Sequence, residues 1–261
     1  MKFCVFSLII SFKKLLPRSS NGAFILKMIY ENKIIHANCY DIIPTLPDKS
    51  IDFVLTDPPY QFLGKTTKGC GFYKKEGKKH LEKIEKSFGL NFKPRPFLQM
   101  IRPKMKRFNA CIWTNKNRLI DYLEFAEENQ YKWEIIIWHK PNPIPAHYNH
   151  LMLDKEYCIY IHESGTSFNN QLAYKNYFSV FNYPIGKKES KHPTEKPVVL
   201  FDWLLQLFSQ ENDVVLDCFS GSGTTALACH TLKRRFLCIE KDFSYWKESI
   251  NRLEEHKNTL F

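Results

Sequence analysis

An aspartate, two prolines and a tyrosine follow one another directly after a largely apolar run. Asp57, Pro58, Pro59 and Tyr60 come after residues 51–56, which read as a buried strand of a parallel sheet. Proline rings fix the backbone, and a residue that precedes proline is kept out of the helical region. The Asp57 carboxylate and the Pro58 carbonyl can therefore be presented side by side as hydrogen-bond acceptors. The alternative interpretation is a rigid turn that carries a surface tyrosine.

Two acceptors beside an aromatic ring suit the methylation of an amino group on a nucleic-acid base. The exocyclic nitrogen of adenine or cytosine is conjugated with its ring and is a poor nucleophile. Acceptors on its two hydrogens favour a pyramidal nitrogen, which can attack a sulfonium methyl group in line. The positive charge that develops would lie beside the Asp57 carboxylate, which stabilises it. Tyr60 would stack on a base rotated out of the duplex.

A second candidate site lies near the C-terminal end, where residues 213–225 read as a buried strand, a glycine turn and the start of a helix. Gly221 and Gly223 allow the backbone to approach a ligand closely. Thr224 or Thr225 is expected to cap the helix that follows.

Glu240 ends the next strand-like run, 17 residues after the second glycine of this turn. In dinucleotide and nucleoside sites, an acid at about this separation accepts hydrogen bonds from ribose hydroxyls. The chain lacks the Gly-Lys-Ser/Thr sequence of a triphosphate-binding loop. The alternative interpretation is a tight turn followed by a surface acid.

Strand-like and helix-like runs alternate along the chain and must position these two sites. Their apolar patterns predict strands at 33–37, 51–56, 110–113, 134–138, 156–161, 214–216 and 236–239, with helices at 119–129, 198–209, from 224 onward and at 244–256. A short element is expected at 40–46. The alternation predicts a doubly wound α/β sheet rich in parallel strands. The domain is expected to start at Met28, with residues 1–27 as an extension or an over-long start.

Basic residues are concentrated in one part of the sequence. The chain has 261 residues and a formal net charge of +11, and residues 61–109 contain 14 lysines and arginines against three acids. Glycines punctuate this segment, which predicts a long loop that contacts a polyanion. Phosphate contacts are expected from Lys74, Lys75, Lys78 and Lys79. The alternative is a solvated, lysine-rich loop.

Eight cysteines are widely spaced and include no Cys-x-x-Cys pair. Their places in apolar segments indicate reduced, packed thiols rather than a disulfide framework or a zinc site. No apolar run approaches the roughly 18 residues that a membrane span needs. We therefore expect no metal site, no membrane segment and a cytoplasmic location.

These motifs resemble those of the β-type, permuted S-adenosylmethionine-dependent amino DNA methyltransferases, the adenine-N6/cytosine-N4 family. The Asp-Pro-Pro-Tyr motif comes first, and the Phe-x-Gly-x-Gly motif at 219–223 comes last. The runs Trp-His-Lys-Pro-Asn-Pro at 138–143 and His-Pro-Thr-Glu-Lys-Pro at 192–197 are also similar. The resemblance implies a Rossmann-like methyltransferase sheet of seven strands, mostly parallel with one antiparallel strand, in a single domain over residues 28–261. It places a small target-recognition insert at 163–191.

The resemblance also assigns roles to individual residues. The catalytic residues are Asp57, Pro58, Pro59 and Tyr60. The implied cofactor is S-adenosylmethionine, held by Asn38, Asp57, His192, Thr194, Lys196, Asp217, Phe219, Gly221, Gly223, Thr224 and Glu240. Thr194 and Lys196 are placed near the carboxylate at its methionine end. Asn38 stands where many relatives have an aspartate.

An aspartate before Pro-Pro-Tyr favours adenine N6 over cytosine N4 as the methylated position, by analogy with the family. Methylation of the cytosine ring carbon is disfavoured because the chain has no Pro-Cys dipeptide to supply the nucleophile. The expected activity is site-specific adenine methylation of double-stranded DNA. The alternatives are cytosine-N4 methylation and a catalytically silent nucleic-acid-binding protein. A cognate restriction endonuclease and a homodimer are the further partners that the resemblance allows.

Overall fold

The computed structural model describes residues 30–59, 92–143, 151–186 and 195–259. Eight strands lie in these ranges: β1 (Lys33–His36), β2 (Phe53–Thr56), β3 (Asn109–Thr114), β4 (Lys132–His139), β5 (Lys155–His162), β6 (Val180–Asn182), β7 (Val214–Asp217) and β8 (Arg235–Glu240). The α-helices of the same ranges are α1 (Cys39–Ile42), α2 (Pro94–Ile101), α3 (Leu119–Glu128), α4 (Val198–Phe208), α5 (Thr224–Thr231) and α6 (Phe243–Thr259).

The strands form one sheet in the order β1-β8-β7-β2-β3-β5-β4-β6. Neighbouring strands are parallel except at β5, which runs antiparallel to both β3 and β4. The mostly parallel α/β sheet with one reversed strand is therefore confirmed. The strand count is eight rather than the predicted seven, because β6 pairs with β4 at the sheet edge. Three residues are too few to show a period-two pattern in a polar, aromatic segment.

The central strands are buried on both faces, and their alternate residues enter two separate cores. In β2, Val54 packs into one core while Phe53 and Leu55 pack into the other. Helices α1, α2 and α3 cover the first core, and α4, α5 and α6 cover the second. Burial on both faces explains why these strands read as continuous apolar runs. The helix layers leave the carboxyl ends of the strands open for a site.

The loop expected over residues 61–109 ends earlier than predicted. Residues 60–91 lie outside the described ranges, but Pro94–Ile101 form helix α2. The helix begins with a proline, which is favoured there because the first helical N–H has no partner within the helix. Phe97 and Leu98 are fully buried. The loop prediction was wrong at this end, since a proline in the first turn starts a helix rather than breaking it.

The described cysteines are buried and free of disulfides: Cys39, Cys111, Cys158, Cys218, Cys229 and Cys238. Within the described ranges, no helix is long and apolar enough to cross a membrane. The same ranges contain no group of three or more His, Cys, Asp or Glu side chains that could hold a metal ion. The expected N-terminal extension, residues 1–27, lies outside them.

Candidate active site

The predicted site residues come from neighbouring strands that end at the same edge of the sheet. Asp57 follows β2, and Asp217 ends the adjacent strand β7. Glu240 ends β8, and Asn38 follows β1, the next two strands along. Parallel direction brings all four carboxyl ends together, where ligands bind in open α/β sheets. Other predicted residues lie outside the described ranges: Tyr60, Lys74, Lys75, Lys78, Lys79, His192 and Thr194.

The glycine turn between β7 and α5 is held by hydrogen bonds to β8 and within itself. The Ser220 N–H donates to the Ile239 carbonyl at 3.0 Å, and the Gly223 N–H donates to the Ser220 carbonyl at 2.8 Å. Glu240 is almost fully buried, and its carboxylate accepts from the Gly221 N–H at 2.8 Å. Burial raises the pKa of Glu240, although backbone donors oppose the rise. The structure thus brings Glu240 to the turn.

Asp217 connects this turn to the strand that precedes the Asp-Pro-Pro-Tyr motif. Its side chain is buried, with 3% of the residue exposed. The carboxylate accepts hydrogen bonds from the Thr56 hydroxyl at 2.8 Å, the Phe219 N–H at 3.0 Å and the Thr225 hydroxyl. Burial raises the pKa of Asp217 to about 6. Because Thr56 directly precedes Asp57, this network holds the two predicted sites together.

A buried lysine lies between Asp57 and a glutamate. The Lys196 side chain is 3% exposed, and its ammonium contacts the Asp57 carboxylate and, at 3.3 Å, Oε2 of Glu156. The other oxygen of Glu156, Oε1, accepts from Lys140 Nζ at 2.5 Å. Burial lowers the pKa of Lys196, but the two carboxylates outweigh burial and raise it overall. We call Asp57, Lys196, Glu156 and Lys140, whose charges alternate along the row, the charge array.

A family model described as DNA methylase, of the N6/N4 type, matches residues 51–251 of the chain. The match begins just before the Asp-Pro-Pro-Tyr motif and includes the charge array and the glycine turn. This chain belongs to the N6/N4 DNA methylase family. It is a site-specific DNA methyltransferase that modifies an amino group of adenine or cytosine.

Individual relatives of this DNA methylase are similar over most of their length. M2.MboI, a type II methyltransferase from Moraxella bovis, is 29% identical over 241 residues, which cover 85% of this chain and 87% of the relative. The crystal structure of M1.HpyAVI in complex with SAM superposes with a TM-score of 0.60 and 26% identity, covering 85% of this chain and 99% of that one.

A third similar protein, the cytosine-N4-specific PvuII DNA methyltransferase, has a TM-score of 0.63 at 15% identity. The likeness covers 87% of this chain and 90% of that one. At that identity the likeness shows the fold alone. The fold by itself therefore does not decide which base this DNA methylase modifies.

The phenylalanine of the glycine motif packs against helix α2 in this DNA methylase. The Phe219 ring centroid lies 5.6 Å from that of Phe97 and 5.5 Å from that of Phe92. Helix α2 thus supports the turn from the side of the first core, although the sequence predicts a loop for these residues. An i, i+1, i+4 set of apolar residues, Phe97, Leu98 and Ile101, is the signal that identifies the helix.

Arg252 of α6 is a second contributor that the motifs do not predict. Its guanidinium pairs with the Glu195 carboxylate at 2.7 Å, and both side chains are largely buried. Arg252 Nη1 also lies 3.4 Å from the Ser222 carbonyl oxygen and 3.4 Å from Thr224 Oγ1. Helix α6 therefore ties the residues before α4 to the glycine turn. The sequence motifs do not predict this contact, because the contact joins two segments that lie far apart in the sequence.

Helices α1 and α5 both start at the site, and their N-terminal caps differ from what the sequence predicts. The Asn38 side chain caps α1 by accepting from the Tyr40 N–H at 3.2 Å, and its contact with a cofactor stays a prediction. The residue that caps α5 is Gly223, with φ of +82°, and no side chain caps this helix. The prediction that Thr224 or Thr225 caps α5 was therefore wrong. A left-handed backbone at the cap favours glycine, and the Thr225 hydroxyl donates to Asp217 instead.

Proposed function

We propose that this DNA methylase transfers the methyl group of S-adenosylmethionine to N6 of adenine in a short DNA site, with the base rotated out of the duplex. The placement of Asp57 carries the proposal. Its side chain is 22% exposed and follows Thr56, whose hydroxyl is bound to Asp217 beside the glycine turn. The proposed acceptor therefore follows one strand, and the glycine turn proposed to hold the methyl donor follows the neighbouring strand. An aspartate before Pro-Pro-Tyr favours adenine over cytosine.

S-adenosylmethionine is the methyl donor, and it supplies a methyl group on a positively charged sulfur. The glycine turn offers hydrogen-bond donors to the polar oxygen atoms of this cofactor, because helix α5 begins there with N–H groups that lack partners within the helix. Ser220 Oγ in the turn is buried and has no hydrogen-bond partner among the described residues. The residues that would hold the donor are Asn38, Lys196, Asp217, Phe219, Gly221, Gly223, Thr224 and Glu240, with His192 and Thr194.

Asp57 and the two prolines after it act on the amino group. The Asp57 carboxylate accepts a hydrogen bond from this group and stabilises the positive charge that develops there during transfer. Pro58 is buried and Pro59 is half-buried, which supports a fixed backbone at this point. The Pro58 carbonyl is the second acceptor, and Tyr60 stacks on the base.

Double-stranded DNA contacts the basic segment through Lys74, Lys75, Lys78 and Lys79. The target-recognition insert at 163–191 is small, and its described part holds a single helical turn, Tyr174–Tyr177, and the short strand β6. So small an insert favours a short recognition site. The proposal also includes a cognate restriction endonuclease as a partner and a homodimer as the assembly.

Nucleoside mass spectrometry tests the proposal directly. Unmethylated genomic DNA is incubated with S-adenosylmethionine and one of three proteins: wild type, Asp57→Ala, or Asp48→Ala. Asp48 is a matched control because its exposed carboxylate pairs with Lys104, away from the site. We expect N6-methyladenine with wild type and Asp48→Ala, and none with Asp57→Ala.

Other outcomes separate the alternatives. Detection of N4-methylcytosine would identify cytosine, rather than adenine, as the substrate base. Cofactor binding by calorimetry without any methylated base would indicate a silent nucleic-acid-binding protein. Turnover by Asp57→Ala near the wild-type rate would contradict the role given to the carboxylate.

A further inference from the structure

Glu156 is separated from the catalytic carboxylate only by Lys196 in the charge array, and the proposed chemistry does not use it. It stands near the start of the reversed strand β5, and its side chain is 25% exposed. One carboxylate oxygen contacts Lys196 Nζ at 3.3 Å and the other contacts Lys140 Nζ at 2.5 Å. Glu156 therefore joins two ammonium groups, one of which contacts Asp57.

Aromatic rings support both lysines and leave their ammonium groups few other positions. Lys196 Nζ lies 5.1 Å from the ring centroid of Trp113, and Lys140 Nζ lies 4.6 Å from that of Trp138. Both tryptophans are at most 3% exposed. A cation held over an aromatic face in a desolvated place is attracted to the ring. The position of Lys196 between two carboxylates is thus determined by packing as well as by charge.

The array is neutral as a whole, since two carboxylates alternate with two ammonium groups. Removing the negative charge of Glu156 would leave an excess of one positive charge among partly or fully buried groups. Buried charges are weakly screened, so that excess acts on any charge that develops near Asp57. Methyl transfer to an amino nitrogen develops positive charge at that place.

We propose that Glu156 is a positioning residue for methyl transfer, which holds Lys196 between two carboxylates and keeps the surroundings of Asp57 electrically neutral. This inference rests on the proposed function. Glu156 acts through Lys196 and does not itself touch the base or the donor. The contacts with Lys196 and Lys140 keep Glu156 ionised, because burial raises its pKa while the two lysines lower it by more.

Substitution of Glu156 by glutamine tests the role with little change in shape. We expect the single-turnover rate of Glu156→Gln at saturating DNA and donor to fall about ten-fold, as for one uncompensated unit charge near the reacting atoms. Saturating donor removes any effect of weaker donor binding from this rate. The melting temperature is expected to fall, because Lys196 loses a buried partner, so the rate is measured below the melting range of the variant. Glu134→Gln is the matched control, because Glu134 is an exposed glutamate of the neighbouring strand β4.

The double variant Lys140→Gln/Glu156→Gln separates charge from shape. It removes one charge of each sign and leaves the neutral pair of Asp57 and Lys196. We expect it to recover at least half of the rate that Glu156→Gln loses. A purely structural role predicts the opposite, because the second substitution would add to the damage.

A second measurement, which does not depend on methyl transfer, accompanies the kinetics. Reductive methylation followed by mass spectrometry reports how accessible the Lys196 amine is, and we expect several-fold higher modification in Glu156→Gln than in Glu134→Gln. If Lys196 in Glu156→Gln is modified only to the wild-type level, the inference is overturned, whether or not any DNA is methylated. A wild-type transfer rate in Glu156→Gln, or a double variant slower than the single one, would also overturn it. Absence of methylation by the wild-type enzyme would count against the proposed function instead.

Discussion

Two aspartates that each follow a buried strand segment have opposite environments. Asp57 is partly exposed and paired with the Lys196 ammonium. Asp217 is buried, and its described hydrogen-bond donors are neutral: two hydroxyls and one backbone N–H. A cation partner stabilises an ionised carboxylate, whereas burial among neutral donors disfavours the charge. Asp57 is therefore suited to act on a substrate, and Asp217 is suited to hold the site together.

Asp217 should make stability depend on pH. Burial raises its pKa from an ordinary value of 3.8 to about 6. Between these values the folded protein keeps a proton that the unfolded chain releases, so stability falls as pH rises from about 4 to about 6. Asp217→Asn removes this effect. We expect its free energy of unfolding, relative to wild type, to rise by up to roughly 3 kcal/mol over this range.

Urea denaturation at several pH values between 4 and 7 measures this difference. Asp202→Asn is the companion variant, because burial also raises the pKa of Asp202 to about 6. It should show the same sign while the hydrogen bonds at the site stay intact. A constant difference between Asp217→Asn and wild type across the range would show that Asp217 has no raised pKa.

At the scale of the element, the glycine turn depends on backbone shape and on close packing. Gly223 has φ of +82°, and a Cβ added there would lie 2.9 Å from the Cβ of Ser249 in α6. No motif rule specifies this contact, since it involves a helix that follows one strand later. The turn is therefore shaped both by its own glycines and by the helix packed against it.

Gly223→Ala should damage the turn in two ways. A left-handed backbone costs a non-glycine residue about 1–2 kcal/mol, and the close approach to Ser249 adds to that cost. We expect the free energy of unfolding to fall by at least about 2 kcal/mol, with weaker binding of S-adenosylmethionine by calorimetry.

Gly186→Ala is the control for this substitution. A Cβ at Gly186 would meet nothing within 4 Å, and no positive φ occurs there. It should therefore leave both stability and donor affinity near wild type. Equal effects of the two substitutions would show that Gly223 has no special role in shaping the turn.

At the scale of the whole molecule, the positive charge is unevenly placed. The chain has a formal net charge of +11, and the 61–109 segment accounts for it. This segment follows the Asp-Pro-Pro-Tyr motif directly, and its described part includes α2, which supports the glycine turn. A basic segment directly after this motif agrees with the predicted contact with DNA.

Substitution of Lys74, Lys75, Lys78 and Lys79 by alanine should weaken binding to all DNA sequences alike. Removing one phosphate contact reduces the slope of log affinity against log salt by about 0.9, so removing four reduces it by roughly 3–4. Fluorescence anisotropy over a salt series measures this. A changed sequence preference at an unchanged slope would contradict phosphate binding by these lysines, and Lys155→Ala on β5 provides a control outside the segment.

Much of this architecture was already determined by the sequence. Apolar runs predicted seven of the eight strands within a few residues. The central strands β2, β3 and β7 are buried on both faces and must be continuously apolar. Asp-Pro-Pro-Tyr and the glycine turn could be located because proline and glycine restrict or free the backbone locally. Local chemistry also indicated the family.

Only the tertiary structure decided which side chains surround these motifs. Glu156 follows Asp57 by 99 positions, and Arg252 follows Gly223 by 29. Both reach the site because the sheet order and helix packing place distant segments at one edge. A contact between distant charges leaves no local pattern, since neither partner alters the backbone of its own segment. Strand β6 belongs to the same class, because its pairing with β4 forms it and its three residues show no local period.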